Sequence, residues 1–198
     1  MPWGGSSTVS SPSGFISGTQ PVVVHRAKPD WLLVRCFRVT RNPDPAKAFD
    51  GMGASMYPGR WNERNERAVY VTKTLPLGVL EVMVQDAVTG LNGYGFYLIE
   101  IPDDVVLSTV DVATLSATWR TARVGRVECR AIGEAWRARR ESVGFIVPSA
   151  VVPEAFGFDD YNIVLDPTHA DFGRLVIGAH IALDVDDRIQ AMLATMGP

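Results

Sequence analysis

The sequence predicts an α+β fold, and three observations carry the prediction. Runs rich in β-branched and aromatic residues mark strands at 31–40, 68–72, 96–101, 105–112, 143–152, 161–165 and 175–183. Only two stretches, 74–88 and 119–141, carry helical periodicity, and they do not alternate regularly with the strands as a doubly wound sheet requires. At 198 residues, with no internal repeat, the chain is most simply one domain with ample length to bury a core. Residues 1–29, rich in Gly, Ser, Thr and Pro, read as a flexible leader that Val22 to Val24 could pin to the surface; 30–188 read as the folded domain and 189–198 as a C-terminal tail.

In the first strand, alternation puts Val34, Cys36 and Arg38 on one face and Arg35, Phe37 and Val39 on the other. Each face carries one arginine, so parity leaves open which is functional and which snorkels. Residues 41–58, with Pro43, Pro45, Gly51, Gly53 and Pro58, read as a long loop of the kind that is often functional in a compact domain. It delivers the chain to Arg60 and Trp61, a pair that either stacks on the surface or clamps an anion.

Strand 68–72 feeds a helix that Thr74 can cap, with Pro76 in the first turn, where a missing N–H is harmless. Stepping about 100° per residue from Leu77 brings Glu81, Val84 and Val88 within about 40° of it. Glu81 thus falls in an apolar stripe, where a carboxylate is either partnered or functional. Val79, Val82 and Met83 make the helix apolar around much of its circumference, and Gln85 and Asp86 mark its polar side.

Residues 90–95 turn into strand 96–101, which Pro102, Asp103 and Asp104 end. In the helix over 119–141, Ala131, Ile132 and Trp136 form the apolar side, and Arg137, Arg139 and Arg140 read as a solvated end favoured by the helix dipole. Pro148 lacks a ladder donor, so an edge or a bulge is expected at Ser149. Asp166 and Pro167 close strand 161–165, and 175–183 is the last strand.

Composition removes several classes of function. A net charge of −3 argues against broad attraction to nucleic acid. Cys36 and Cys129 lack metal-ligand spacing, and with three scattered histidines they predict reduced thiols and no metal site. No apolar run approaches transmembrane length, and no basic segment precedes an apolar core near the N-terminus; the expectation is a cytoplasmic protein without a membrane partner. Gly93-Tyr94-Gly95 precedes a strand instead of following one, so it is no dinucleotide fingerprint, and no Walker loop is present. A triad of Ser149, His169 and Asp166 or Asp171 lacks the Gly-x-Ser-x-Gly elbow, and His169 reads as a loop or structural histidine.

What survives is a constellation of Arg38, Arg60, Tyr70, Glu81 and Ser149. Its order and spacing, carried by Phe37-Arg38-Val39, Gly59-Arg60-Trp61-Asn62, Ala68 to Thr72, Val79 to Val82, Val147 to Ala150, and Asn162 to Phe172 with an Asp-Pro-x-His, resemble the RES-domain family. That family is named for Arg, Glu and Ser and supplies toxins of Xre-RES toxin–antitoxin pairs. The resemblance spans roughly 31–188. Two departures stand out: residues 63–67 (Glu-Arg-Asn-Glu-Arg) replace the family's usual Pro and Gly after Arg-Trp-Asn, and residues 156–160 lengthen the approach to Tyr161 and Asn162.

The resemblance implies an ADP-ribosyltransferase-like fold, a split β core with flanking helices, holding NAD⁺ as substrate in a cleft with no resident cofactor. It implies destruction of cellular NAD⁺ at the nicotinamide–ribose bond, by water or with inorganic phosphate as co-substrate. Glu81 would stabilise an oxocarbenium-like ribose, Tyr70 stack on the nicotinamide, and Arg38 and Arg60 grip the diphosphate. Trp61 and Asn162 would complete the NAD⁺ pocket, and Ser149 would bond the substrate or orient Glu81. Transfer of ADP-ribose to a protein or metabolite, and a catalytically silent binding module, stay open. The implied partner is an Xre-type antitoxin through which any DNA contact would come, and a homodimer stays open.

Overall fold

The computed structural model describes residues 33–85, 90–121, 123–152 and 160–195; Trp31, Val22 to Val24 and Val88 lie outside them. The fold is α+β, with helices flanking one curled sheet. In spatial order the strands are β4 (Leu107–Thr109), β5 (Gly144–Pro148), β6 (Tyr161–Leu165), β2 (Val69–Thr72), β1 (Val34–Thr40), β3 (Gly95–Ile101) and β7 (Val176–Ile177), while β8 (Ile181–Ala182) pairs with the other end of β3. β4 and β5 are parallel, and the other pairs are antiparallel.

The sheet has a weak seam. β1 and β3 pair along their whole length, from Val34 opposite Ile101 to Thr40 opposite Gly95, yet β1 and β2 meet at a single register pair, Phe37 with Thr72. The sheet is therefore two half-sheets joined at one point. Arg38 repairs part of the missing ladder, because its Nη1 donates to the Tyr70 carbonyl at 2.9 Å. Helix α3 (Leu75–Gln85) lies over the seam at Gly78, where a Cβ would sit 2.8 Å from both Val39 Cγ2 and Thr72 Oγ1. Only glycine permits that approach.

Alternation divides the core between the two faces of the sheet. Val69, Val71, Ile163 and Leu165 join Cys36, Tyr97, Ile99 and Ile101 in one cluster. On the other face Phe145, Val147 and Val164 meet helix α4 (Val124–Arg139), with Trp136 stacked on Phe145 at 5.2 Å and Trp61 edge-on to it at 5.9 Å. Among the described residues no helix is long and apolar enough to cross a membrane.

Several expectations need correction. Residues 41–58 contain two short helices, α1 (Pro45–Ala48) and α2 (Met52–Met56), rather than an unbroken loop; Asp44 caps the first by accepting from Ala46 N. Helices this short leave no periodicity to read. α4 starts at Val124, not at 119, and Ala131 is exposed; the buried stripe is Gly125, Cys129, Ile132, Gly133 and Trp136. Arg137 is not solvated. It pairs with the buried Asp166 at 3.1 Å and approaches Glu66 at 3.9 Å. β5 lies inside the sheet between β4 and β6 and ends at Pro148, which removes the need for an edge or bulge at Ser149. The strand read at 105–112 is β4 followed by a 3₁₀ turn at Val112–Thr114, and 175–183 divides into β7 and β8. Residues Asp187–Thr195 form helix α5.

Candidate active site

A cleft of about 1040 Å³ opens along the seam, its lining including Arg38, Tyr70, Glu81, Pro148, Ala150 and Asn162. Strand register places Asn162 between Thr72 of β2 and Val147 of β5, on the face that Tyr70 and Val164 share. Thr74 fixes the start of α3 above this point: its hydroxyl donates to Asp160 at 2.7 Å, just before β6, and accepts from Leu77 N at 3.4 Å.

The cap and Pro76 stand as expected, but the stripe does not. Leu77 and Gly78 are the buried residues of α3, and Val84 is 65% exposed at the cleft. Glu81 is half-buried and lines the cleft, and two polar side chains, those of Ser149 and Asn162, meet its carboxylate.

Ser149 Oγ and Asn162 Nδ2 both donate to Glu81 Oε1, at 2.8 and 2.7 Å. Ser149 is buried, and its Oγ accepts from Val151 N at 3.0 Å and Val152 N at 3.1 Å. Two backbone donors occupy the hydroxyl's acceptor capacity, so its proton is committed to Glu81. Ser149 and Asn162 thus hold one carboxylate oxygen, while Oε2 receives no hydrogen bond from the described residues. A Ser149–His169 pair does not form: His169 caps the 3₁₀ turn Ala170–Arg174 by accepting from Asp171 N and contacts Arg140 O.

Arg38 is the deepest cation in the cleft. Burial pulls its pKa down to about 10 against the opposing influence of Asp50 and Tyr97, and its Nε has no partner. Tyr70 lines the cleft, while its hydroxyl is enclosed, accepting from Trp61 N at 3.0 Å and donating to Asn62 Oδ1 at 2.8 Å. Burial pushes the phenol above its ordinary pKa.

Nothing in the local sequence singles out Asn62 as more than a neighbour of the Arg-Trp pair. It is fully buried; Oδ1 also accepts from Gly59 N, and Nδ2 donates to the carbonyls of Ala54, Glu63 and Glu66. This amide ties together the turn that carries Arg60. The inserted residues 63–67 fit the turn through Asn65 in the left-handed region (φ 71°), a bond from Glu63 N to Glu66, and ion pairs to Arg130 and Arg137 on α4.

Arg60 and Trp61 sit differently from their sequence reading. Trp61 is 2% exposed in the aromatic core. Arg60 donates through Nη1 to the carbonyls of Trp119 and Thr121, at 2.7 and 3.1 Å, and through Nη2 to that of Arg120 at 3.2 Å. The structure thus brings Arg38, Tyr70, Glu81 and Asn162 to the cleft, with Ser149 bonded to Glu81; Arg60 and Trp61 also line it, the Arg60 fork bonded to a loop and Trp61 largely buried in the core.

The family model described as RES domain matches residues 33–186. Over 141 residues the chain is 33% identical to a protein of Photorhabdus laumondii named Toxin Res, covering 71% of this chain and 86% of that protein. It is 31% identical over 140 residues to a Toxin Res of Yersinia enterocolitica, covering 69% of this chain and 86% of that one. A third relative, from Sphingobium, is named Prs ADP-ribosylating toxin and is 34% identical over 135 residues, 64% of this chain and 76% of its own.

Proposed function

Because this chain belongs to the RES-domain family, we propose that it is a toxin that destroys NAD⁺ by breaking the nicotinamide–ribose bond. The observation that carries the reading is the Glu81 carboxylate, one oxygen held by Ser149 and Asn162 and the other left for a ligand in the cleft. The bonding pair of the C1′–N bond goes to the pyridinium nitrogen, so nicotinamide leaves neutral and needs no general acid. Positive charge then develops on the ribose, and a fixed carboxylate stabilises it directly or through the 2′-hydroxyl. Water or inorganic phosphate adds its oxygen to C1′, and with water a proton is released. The Tyr70 ring supplies a stacking face for the cationic nicotinamide.

An enzyme that removes NAD⁺ inside its own cell requires restraint, and an antitoxin seated over the cleft supplies it. The purified protein should release nicotinamide from NAD⁺, followed by chromatography with and without phosphate. Folded, inhibitor-free protein that releases none under either condition would sink the reading. The name of the Sphingobium relative, an ADP-ribosylating toxin, favours a second reading, transfer of ADP-ribose to a protein or metabolite acceptor. Labelled ADP-ribose on a protein band, in place of free ADP-ribose or its phosphate, would select that outcome.

A further inference from the structure

Five arginines line the cleft, Arg38 and Arg41 among them, and the reaction above uses none of the five. The other three are Arg60, Arg120 and Arg126, and none of these lies within ion-pair distance of a carboxylate among the described residues. They are not equivalent. Three consecutive carbonyls, those of Trp119, Arg120 and Thr121, converge on the Arg60 guanidinium, which also approaches the Cys129 thiol. Three of its five N–H donors, both of those on Nη1 included, are committed to carbonyls, so the Nη1–Nη2 edge of the fork is not free for a diphosphate. What it does instead is hold the 119–121 turn in place.

Arg120 and Arg126 extend from that region exposed. Arg120 donates one bond, from Nη2 to Ala150 O at 2.8 Å, and the rest of its fork is uncommitted. Ala150 adjoins Ser149, so Arg120 stands next to the group that holds Glu81. Arg126 makes no hydrogen bond or ion pair among the described residues. It lies in the first turn of α4, which contains no acidic residue. A cation at the positive end of a helix dipole is unfavourable on its own, and a bound anion relieves both.

We propose that Arg120 and Arg126 grip the diphosphate of the substrate, and that Arg60 is a positioning residue that holds the turn from which they reach. The proposal rests on the NAD⁺ reading of the cleft. It separates the two ends of the substrate: the nicotinamide ribose lies at Glu81, and the phosphates lie beside Ala150. It also replaces the direct Arg60 clamp implied by the family resemblance.

The test uses Arg120→Ala, Arg126→Ala, their double variant and Arg60→Lys, with ADP and nicotinamide as separate inhibitors of NAD⁺ cleavage. Both alanine variants change exposed side chains, so the fold should be kept. Each should raise KM for NAD⁺ and the inhibition constant of ADP about ten-fold, while kcat and inhibition by nicotinamide hold, as expected when uniform binding is lost. Arg60→Lys keeps a charge but cannot span three carbonyls, and should weaken ADP in the same way. A double variant that binds ADP like the parent overturns the proposal. So does an Arg60→Lys protein with parental ADP binding beside an Arg60→Ala protein without it, which would return the clamp to Arg60. Thermal stabilisation by ADP reads the same binding without turnover. A parent that leaves NAD⁺ intact therefore removes the proposed reaction, and the ADP shift still decides the arginines.

Discussion

Ser149 and Glu81 are separated by 68 residues of sequence and by 2.8 Å of space. The serine follows the end of one strand and the glutamate rides a helix that crosses the seam of the sheet, so the bond reports how the half-sheets are joined. Its polarity is also fixed, since two backbone N–H groups leave the serine proton only the carboxylate.

Glu81→Gln keeps an acceptor for both Ser149 and Asn162 and removes the charge. Nicotinamide release should fall on the order of 10²-fold or more, with NAD⁺ binding nearly kept. Steady-state kinetics beside equilibrium binding measures both, and parental turnover would reject Glu81 as the reacting carboxylate.

Ser149→Ala strips one donor from Glu81 and leaves Val151 N and Val152 N without their acceptor. Stability should drop by about 1–3 kcal/mol, the usual result of orphaning buried polar groups. Turnover of the protein that remains folded should fall as well. Urea titration and kinetics on one preparation separate the effects, and loss of stability without loss of kcat would make the serine purely structural.

Alkaline pH should weaken the fold. Burial lifts the Cys129 thiol from its ordinary 9.0 to about 11, and also lifts Tyr70. Below pH 9.0 both folded and unfolded chains hold the thiol proton; above it the unfolded chain loses the proton first, so stability falls as pH rises toward about 11. Arg38, lowered to about 10, pulls the other way only beyond that pH. Urea midpoints from pH 8 to about 10 should decline in the parent and decline less in Cys129→Ala. A flat parental profile contradicts the assignment. Both cysteines, fully buried, should also resist thiol reagents until the protein is unfolded.

Gly133→Ala inverts the usual helix rule. Alanine ordinarily stabilises a helix over glycine by about 1 kcal/mol. Here its Cβ would lie 2.0 Å from the Trp61 carbonyl, a backbone atom with no room to yield. The substitution should destabilise the protein by roughly 2 kcal/mol, read as a lower melting temperature. A variant as stable as the parent would mean that the Trp61 turn moves freely against α4.

The parts of the site that sequence made legible are those announced by local chemistry. A carboxylate in a largely apolar helix drew attention to Glu81, although the stripe that motivated it fails at the exposed Val84. Thr74 and Pro76 marked the helix start through capping alone. Partners that converge from elsewhere have no local signal: Asn162 donates to Glu81 across 81 residues, and the carbonyls that accept from Arg60 come from 59 to 61 residues away. Arg137 looked like a solvated helix end because Asp166 and Glu66 meet it only after folding. The Arg-Trp pair read as one clamp, yet adjacent residues in a turn point to different places, and Trp61 went to the core.

β6 lies between β5 and β2 in the sheet but follows both in the chain. A ribosome that has synthesised the first 150 residues has already made Arg38, Tyr70, Glu81 and Ser149, and has not yet made the strand that joins β5 to the rest of the sheet. The cleft is therefore completed late in translation and all at once. A chain that stops before β6 lacks both Asn162, which holds Glu81, and the strand that joins β5 to the rest of the sheet.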